Sequence, residues 1–183
     1  LDPHIAAVAP ALYYPDGRPQ ASAYFFITPM RIVKSLLGID KLADRWGWAI
    51  LSGNIDLDRN GNYSGQVESL YGPCILVHRK AFEEVGGFDE AFFLYSEETD
   101  FIYRLARKGW KAYRVAEAMV THNHGESAKQ VPINPFVSMQ ESLWIYARKH
   151  FGFWGRFITI VGSIIGLSFR LLLSSKSSDR KRY

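Results

Sequence analysis

The apolar positions of this chain change period several times, and each change marks an element. IAAVAP, residues 5–10, is an unbroken small and apolar run that predicts a short buried strand stopped by Pro10. YYPDGRPQ then reads as a turn: Pro15 fixes φ, Asp16 offers a side-chain cap, and Gly17 tolerates positive φ. Residues 30–51 set Ile32, Val33, Leu36 and Leu37 on one helical face among basic positions. Residues 52–66, SGNIDLDRNGNYSGQ, have no period and read as a polar loop. Residues 74–77 predict a strand, followed by a short helix that ends at Gly86 and Gly87.

The clearest helix starts after residue 96. Ser96 is placed to cap it, Glu97, Glu98 and Asp100 occupy its first turn, and Arg104, Arg107 and Lys108 lie toward its end. Gly109 stops it, and Phe101, Ile102, Leu105 and Ala106 form its buried face. WKAYRVAEAMVTH alternates toward a strand, and residues 135–150 predict a further amphipathic helix. From Phe151 the chain becomes an apolar helix. Arg156, Thr159, Ser163, Gly166, Arg170, Ser174 and Ser177 recur along it as a narrow stripe, expected to be its wet side. The uncharged run 157–169 is shorter than a membrane span requires, so the tail is expected to lie on a membrane surface. Gly162 and Gly166 form a G-x-x-x-G helix-pairing face, which self-association into a homo-oligomer could also use.

Composition narrows the class. Apolar residues make up 48% and aromatics 15% of 183 residues, enough for one sizeable core plus a tail. The formal net charge of +4 is concentrated late, at Arg148, Lys149, Arg156, Arg170, Lys176, Arg180, Lys181 and Arg182. A basic end beside an apolar run favours an anionic membrane surface over nucleic acid as partner. The single cysteine, Cys74, has no internal partner, which fits a reducing compartment. The first residues lack an initiator Met and a basic n-region, as expected of a chain that begins in mid-domain.

Candidate chemistry lies in two places. Acids at a helix mouth can simply complement the helix dipole, but an ionised carboxylate facing a pocket can also act as a general base. His122 and His124, at i,i+2 after a strand, point the same way and could share a metal, although two loop histidines are commonly plain polar surface. DLDRNG, residues 56–61, matches the first half of an EF-hand loop, yet the twelfth position is Val67 rather than an acid, so calcium is set aside. Asp56 and Asp58 also imitate an Asp-x-Asp metal motif, but in a polar loop instead of after a buried strand. Gly72 lets a substrate approach the backbone, and Trp110 is among the aromatics that could stack on a sugar.

The string GGFDEAFFLYSEETDFIYRLARKGW, residues 86–110, with HNHGES from His122, resembles the acceptor-side half of family-2 glycosyltransferases, the inverting GT-A-fold enzymes of rhamnosyltransferase-like type. The resemblance implies an α/β fold: the C-terminal half of a GT-A (Rossmann-like) domain, a mixed sheet with flanking helices, then a C-terminal amphipathic helix. It divides the chain into an acceptor-side part, 1–150, and a membrane-associated tail, 151–183, without the N-terminal nucleotide-binding half. Family members carry Tyr-x-Glu-Asp-x-Asp where this chain has Tyr95-Ser96-Glu97-Glu98-Thr99-Asp100. The proposed base therefore falls on Glu98, a Glu where Asp is usual, with Glu97 the alternative. Asp100, Gly72, Trp110 and Ser127 become candidate substrate contacts, Asp100 also being placed to pair with Arg104. His122, with His124 second, becomes a contact to the metal-diphosphate of the donor. The implied cofactor is divalent Mg or Mn, and a His ligand would tilt it toward Mn. The implied activity is transfer of a sugar from a nucleotide-sugar donor to a glycan or lipid-linked acceptor in bacterial cell-surface polysaccharide synthesis. The expected location is peripheral, on the cytoplasmic face of the inner membrane. The rival from another class is a non-catalytic, membrane-associated carbohydrate-binding module with a degenerate transferase fold.

Overall fold

The computed structural model describes residues 2–39, 62–123, 125–126 and 134–179. The spine of the sheet is β1 (Ile5–Tyr13), with β2 (Pro19–Gln20) and the separate short strand β3 (Ala23–Tyr24) after it. Helix α1 (Pro29–Leu36) follows, then β4 (Gly65–Val67), β5 (Ser69–Leu70) and β6 (Leu76–Val77). Helices α2 (Arg79–Val85) and α3 (Glu97–Arg107) precede the long strand β7 (Lys111–Thr121). Helices α4 (Pro135–His150) and α5 (Phe153–Asp179) close the described chain.

The chain folds as two compact units, Leu1–Phe26 with Asn54–Tyr146, and Ile27–Gly53 with Ala147–Tyr183. In the first, β1 and β7 run parallel, while β4 pairs antiparallel with β7, and β2 and β6 pair antiparallel with β1. This is the mixed α/β sheet expected. Strand β1 does not stop at Pro10. It continues to Tyr13, and the ladder slips instead: Pro10 faces Val115, but Ala11 faces Met119. A proline cannot donate to the ladder, and the structure absorbs that as a register irregularity.

The core side of the sheet is built from small residues. Ala6, Ala7, Ala9 and Ala112 are almost fully buried, which lets Phe101, Ile102 and Leu105 of α3 pack close. The edges of α3 are set by local chemistry. Gly109, at φ 88°, ends it as expected. Its start differs from expectation: Ser96 lies at φ 66° and its side chain makes no capping bond. The helix begins instead from a left-handed pair, Tyr95 and Ser96, and the Ser96 carbonyl accepts from the Asp100 N–H at 2.9 Å.

What holds that start in place is Arg104. Its Nε donates to Asp100 Oδ2 at 2.7 Å, and its two Nη groups donate to the carbonyls of Val85, at 2.5 Å, and Gly87, at 2.6 Å. Asp100 is fully buried. One guanidinium thus ties the first turn of α3 to the Gly86–Gly87 turn. From the other side, Ser142 Oγ of α4 donates to the Leu94 carbonyl at 2.8 Å.

In the second unit, α1 is capped by Thr28, whose hydroxyl accepts from the Arg31 N–H at 3.3 Å, with Pro29 in the first turn. The stripe on α5 departs from expectation in part: Arg156 is exposed as expected, but the small residues that follow it are not. Thr159 and Ser163 are buried, together with Gly162 and Gly166, while the apolar residues face outward. The physical reason is close packing: a methyl group on Gly162 would overlap the Val33 side chain of α1.

Replacing Arg104 with Met should destabilise the first unit by about 3 kcal/mol, because the buried Asp100 carboxylate and two carbonyls lose their donor. Denaturant unfolding of wild type and Arg104→Met checks this, and a loss under about 1 kcal/mol would mean the clamp contributes little.

Candidate active site

Glu97 and Glu98 sit in the first turn of α3, immediately after the left-handed pair Tyr95 (φ 71°) and Ser96 (φ 66°). Two consecutive non-glycine residues in this region cost on the order of 1–3 kcal/mol each and persist only where the surroundings enforce them. Here the Arg104 clamp and the Ser142 bond to Leu94 do so. The strained pair lies immediately before the two adjacent carboxylates.

The two carboxylates are inequivalent. Burial pushes the Glu98 carboxyl up to about 7 from an ordinary 4.5, and the neighbouring Glu97 charge adds to the shift. A helix N-terminus acts in the opposite direction, favouring the ionised form, so desolvation wins at this position. Glu97 Oε2 is itself buried without a protein hydrogen-bond partner. Gly72 passes directly beside Glu98: a Cβ there would lie 3.5 Å from Glu98 Cγ and 3.6 Å from its carboxyl carbon. The missing side chain leaves that flank of the carboxyl uncovered.

Tyr71 connects this corner to His122. Its ring meets the His122 ring edge-on at 5.9 Å and the Tyr24 ring at 5.9 Å. Burial, then the charge of Glu98, raises the Tyr71 phenol to about 12, so it stays protonated at neutral pH. The backbone N–H of Tyr71 donates to the Ser22 carbonyl, and that of His122 to the Tyr13 carbonyl, both at 2.9 Å. His122 Nδ1 lies 2.7 Å from Oε1 of the buried Gln20. Strand ends of β1, β2 and β7 therefore hold His122, and the segment after β5 joins it to Glu98.

Of the residues singled out from sequence, Glu97, Glu98 and Gly72 gather at one point, and Tyr71 links them to His122. Asp100 does not join them: fully buried and bound to Arg104 at 2.7 Å, it has a structural role. Trp110 is elsewhere too. Its Nε1 donates to Glu84 at 3.0 Å and its ring stacks on His78 at 5.8 Å. It lines a cavity of about 420 Å³ with Phe25, Phe26, Tyr63, Ile102 and Leu105, and neither glutamate borders that cavity. His124 and Ser127 lie outside the described residues, as do Asp56 and Asp58. Among the described residues no three His, Cys, Asp or Glu side chains gather to hold a metal, so these residues do not form a metal centre by themselves. Gln20 is not legible in the sequence, because it closes a segment that reads only as a turn, whereas Tyr71 is among the aromatics that the sequence offers for stacking on a sugar.

Residues 42–177 match the family described as Glycosyl transferase family group 2. The chain belongs to that family. Two strains of Mycobacterium tuberculosis carry an N-acetylglucosaminyl-diphospho-decaprenol L-rhamnosyltransferase that is 36% identical over 116 residues, 62% of this chain and 38% of the relative. The low-salt glycan biosynthesis hexosyltransferase Agl10 of Haloferax volcanii is 38% identical over 42 residues, 23% of this chain and 14% of that protein. No solved structure matches the chain. This member of the glycosyl transferase family thus spans well under half the length of the mycobacterial relatives it matches.

The raised Glu98 pKa has a consequence for the stability of the chain. Between about pH 4.5 and 7 the folded state holds a proton on Glu98 that the unfolded state has lost. Stability therefore falls as pH rises through that window, by on the order of 3 kcal/mol from this group. Glu98→Gln removes the titration. Relative to wild type, the variant should be more stable at pH 8 than at pH 5, as read by denaturant unfolding at both. A difference that does not change with pH would contradict the buried setting of Glu98.

Proposed function

We propose that this chain carries the acceptor side of an inverting sugar transfer from a nucleotide-sugar donor to a glycan or lipid-linked acceptor, with Glu98 as general base. The observation that carries the proposal is the Glu98 carboxyl, half-buried beside Glu97 and bare Gly72, with its pKa raised to about 7. A base is most effective when its pKa lies near the working pH. In the step proposed, Glu98 takes the proton of the acceptor hydroxyl as that oxygen forms a bond to the anomeric carbon. The bond from that carbon to the diphosphate oxygen breaks on the opposite face, and the nucleoside diphosphate leaves with the electron pair.

His122, oriented by Gln20 and Tyr71, is assigned to the diphosphate end of the donor, with His124 as second candidate. The divalent Mg or Mn expected from the family resemblance stays part of this proposal only as a companion of the donor diphosphate, and no step is derived through it. The mycobacterial relatives are named for a decaprenol-linked acceptor, which supports an acceptor of lipid-linked glycan type here. Such an acceptor, together with the basic C-terminal third, supports work at an anionic membrane surface, on the cytoplasmic face of a bacterial inner membrane. A module that only bound carbohydrate would have no use for a carboxyl held near neutral acidity, which favours the enzyme over the binding-module reading.

In the full-length enzyme, Glu98→Gln should lower turnover by about 10²- to 10⁴-fold while leaving donor affinity nearly unchanged, because the amide keeps the shape but accepts no proton. Steady-state kinetics paired with nucleotide-sugar binding checks this. Near-normal turnover would remove Glu98 from the role, and a severe loss in Glu97→Gln alone would transfer it to Glu97.

A further inference from the structure

The second unit contains a helix whose pattern is inverted relative to a water-soluble one. The buried stripe of α5 consists of Thr159, Gly162, Ser163 and Gly166. Small residues there allow close approach to α1: Gly162 abuts Val33, and a Cβ on Gly155 would lie 3.2 Å from Pro29 Cγ. The Thr159 hydroxyl donates to its own helix, at the Gly155 carbonyl, 2.8 Å away. On the outside, Phe153, Trp154, Phe157, Ile160, Ile164 and Ile165 are each more than half exposed. Soluble helices bury their apolar residues and wet their polar ones. Helices in lipid do the reverse, with small and hydroxyl residues at the seam.

Charge decides what covers this face. From Ser142 to Ser178 the sequence has no Asp or Glu, whereas Arg148, Lys149, Arg156, Arg170 and Lys176 fall in or beside the apolar stretch. A second copy would bring like charges together, while an anionic bilayer complements them. Trp154 and Phe153, exposed next to Arg156, suit the headgroup level, where aromatic rings concentrate. No helix among the described residues is long and apolar enough to cross a membrane. The uncharged run 157–169 covers roughly 20 Å of helix against about 30 Å of hydrocarbon.

We propose that the outward face of α5, from Phe153 to Ile165, is a lipid-docking surface that lies in the headgroup–acyl boundary of an anionic bilayer while its small-residue stripe stays packed within the protein. This deepens the membrane-surface reading above by naming the face that enters the lipid. It needs neither donor nor acceptor, so it stands or falls apart from sugar transfer.

Flotation of the whole chain with phosphatidylglycerol-containing and pure phosphatidylcholine vesicles tests it. The chain should float with the anionic vesicles, and binding should weaken at least tenfold in about 0.5 M salt, where charges are strongly screened. Ile160→Glu combined with Ile164→Glu should weaken it by roughly a hundredfold or more, with the circular dichroism spectrum unchanged, because these side chains already face outward. Arg156→Gln should cost about fivefold, and only on anionic vesicles. If the chain binds vesicles and the glutamate pair has no effect, the α5 face is not the docking surface, although membrane binding stands. If a monomeric chain ignores both vesicle types, docking and the membrane reading both fail. If the glutamate pair instead abolishes a concentration-dependent dimer, the face belongs to a second copy and the lipid proposal is overturned.

Discussion

The Arg104 guanidinium is the contact on which the placement of the carboxylates depends. It binds Asp100 and two turn carbonyls at once, and so joins the start of α3 to the Gly86–Gly87 turn. A helix start on two left-handed, non-glycine residues is not a conformation the chain would choose locally. It persists because Asp100, one turn further on, is buried and held, and because Phe101, Ile102 and Leu105 are locked against an alanine-lined sheet. The strain at Tyr95 and Ser96 and the ion pair at Asp100 are thus two ends of one device. Its product is the fixed position of Glu97 and Glu98.

At that position two electrostatic effects compete. The open N–H groups of a helix start favour a charged carboxylate. Removing Glu98 from water, next to the Glu97 charge, disfavours it, and this second effect prevails. Gly72 keeps the carboxyl from being covered altogether. A half-buried carboxyl left uncovered on one flank is poorly solvated as a charged group. The fold accepts a stability cost at neutral pH to keep it so.

Much of this was legible in the chain. Residues 135–150 form the helix their spacing predicts, Gly109 ends α3 where a positive φ was expected, and the adjacent acids fall at the helix mouth. The failures share a cause: each depended on a contact distant in sequence. Pro10 reads as a strand end, yet the parallel neighbour β7, about a hundred residues away, carries β1 past it by slipping register. Ser96 has the chemistry of a cap, but tertiary contacts force it left-handed. Gln20 meets His122 across 102 positions, a separation invisible to periodicity. On α5 the pattern sets Arg156, Thr159, Ser163 and Gly166 on one wet side, and the structure leaves Arg156 exposed but buries the other three.

Partial burial and the Glu97 charge hold the Glu98 pKa up at about 7. The most direct measurement is a carbon-13 NMR titration of the glutamate carboxyls in this chain, with the Glu98 signal assigned by its loss in Glu98→Gln. That signal should have its midpoint at about 7, moving downward in Glu97→Gln as the neighbouring charge is removed. A midpoint near the ordinary 4.5, unmoved by Glu97→Gln, would contradict it.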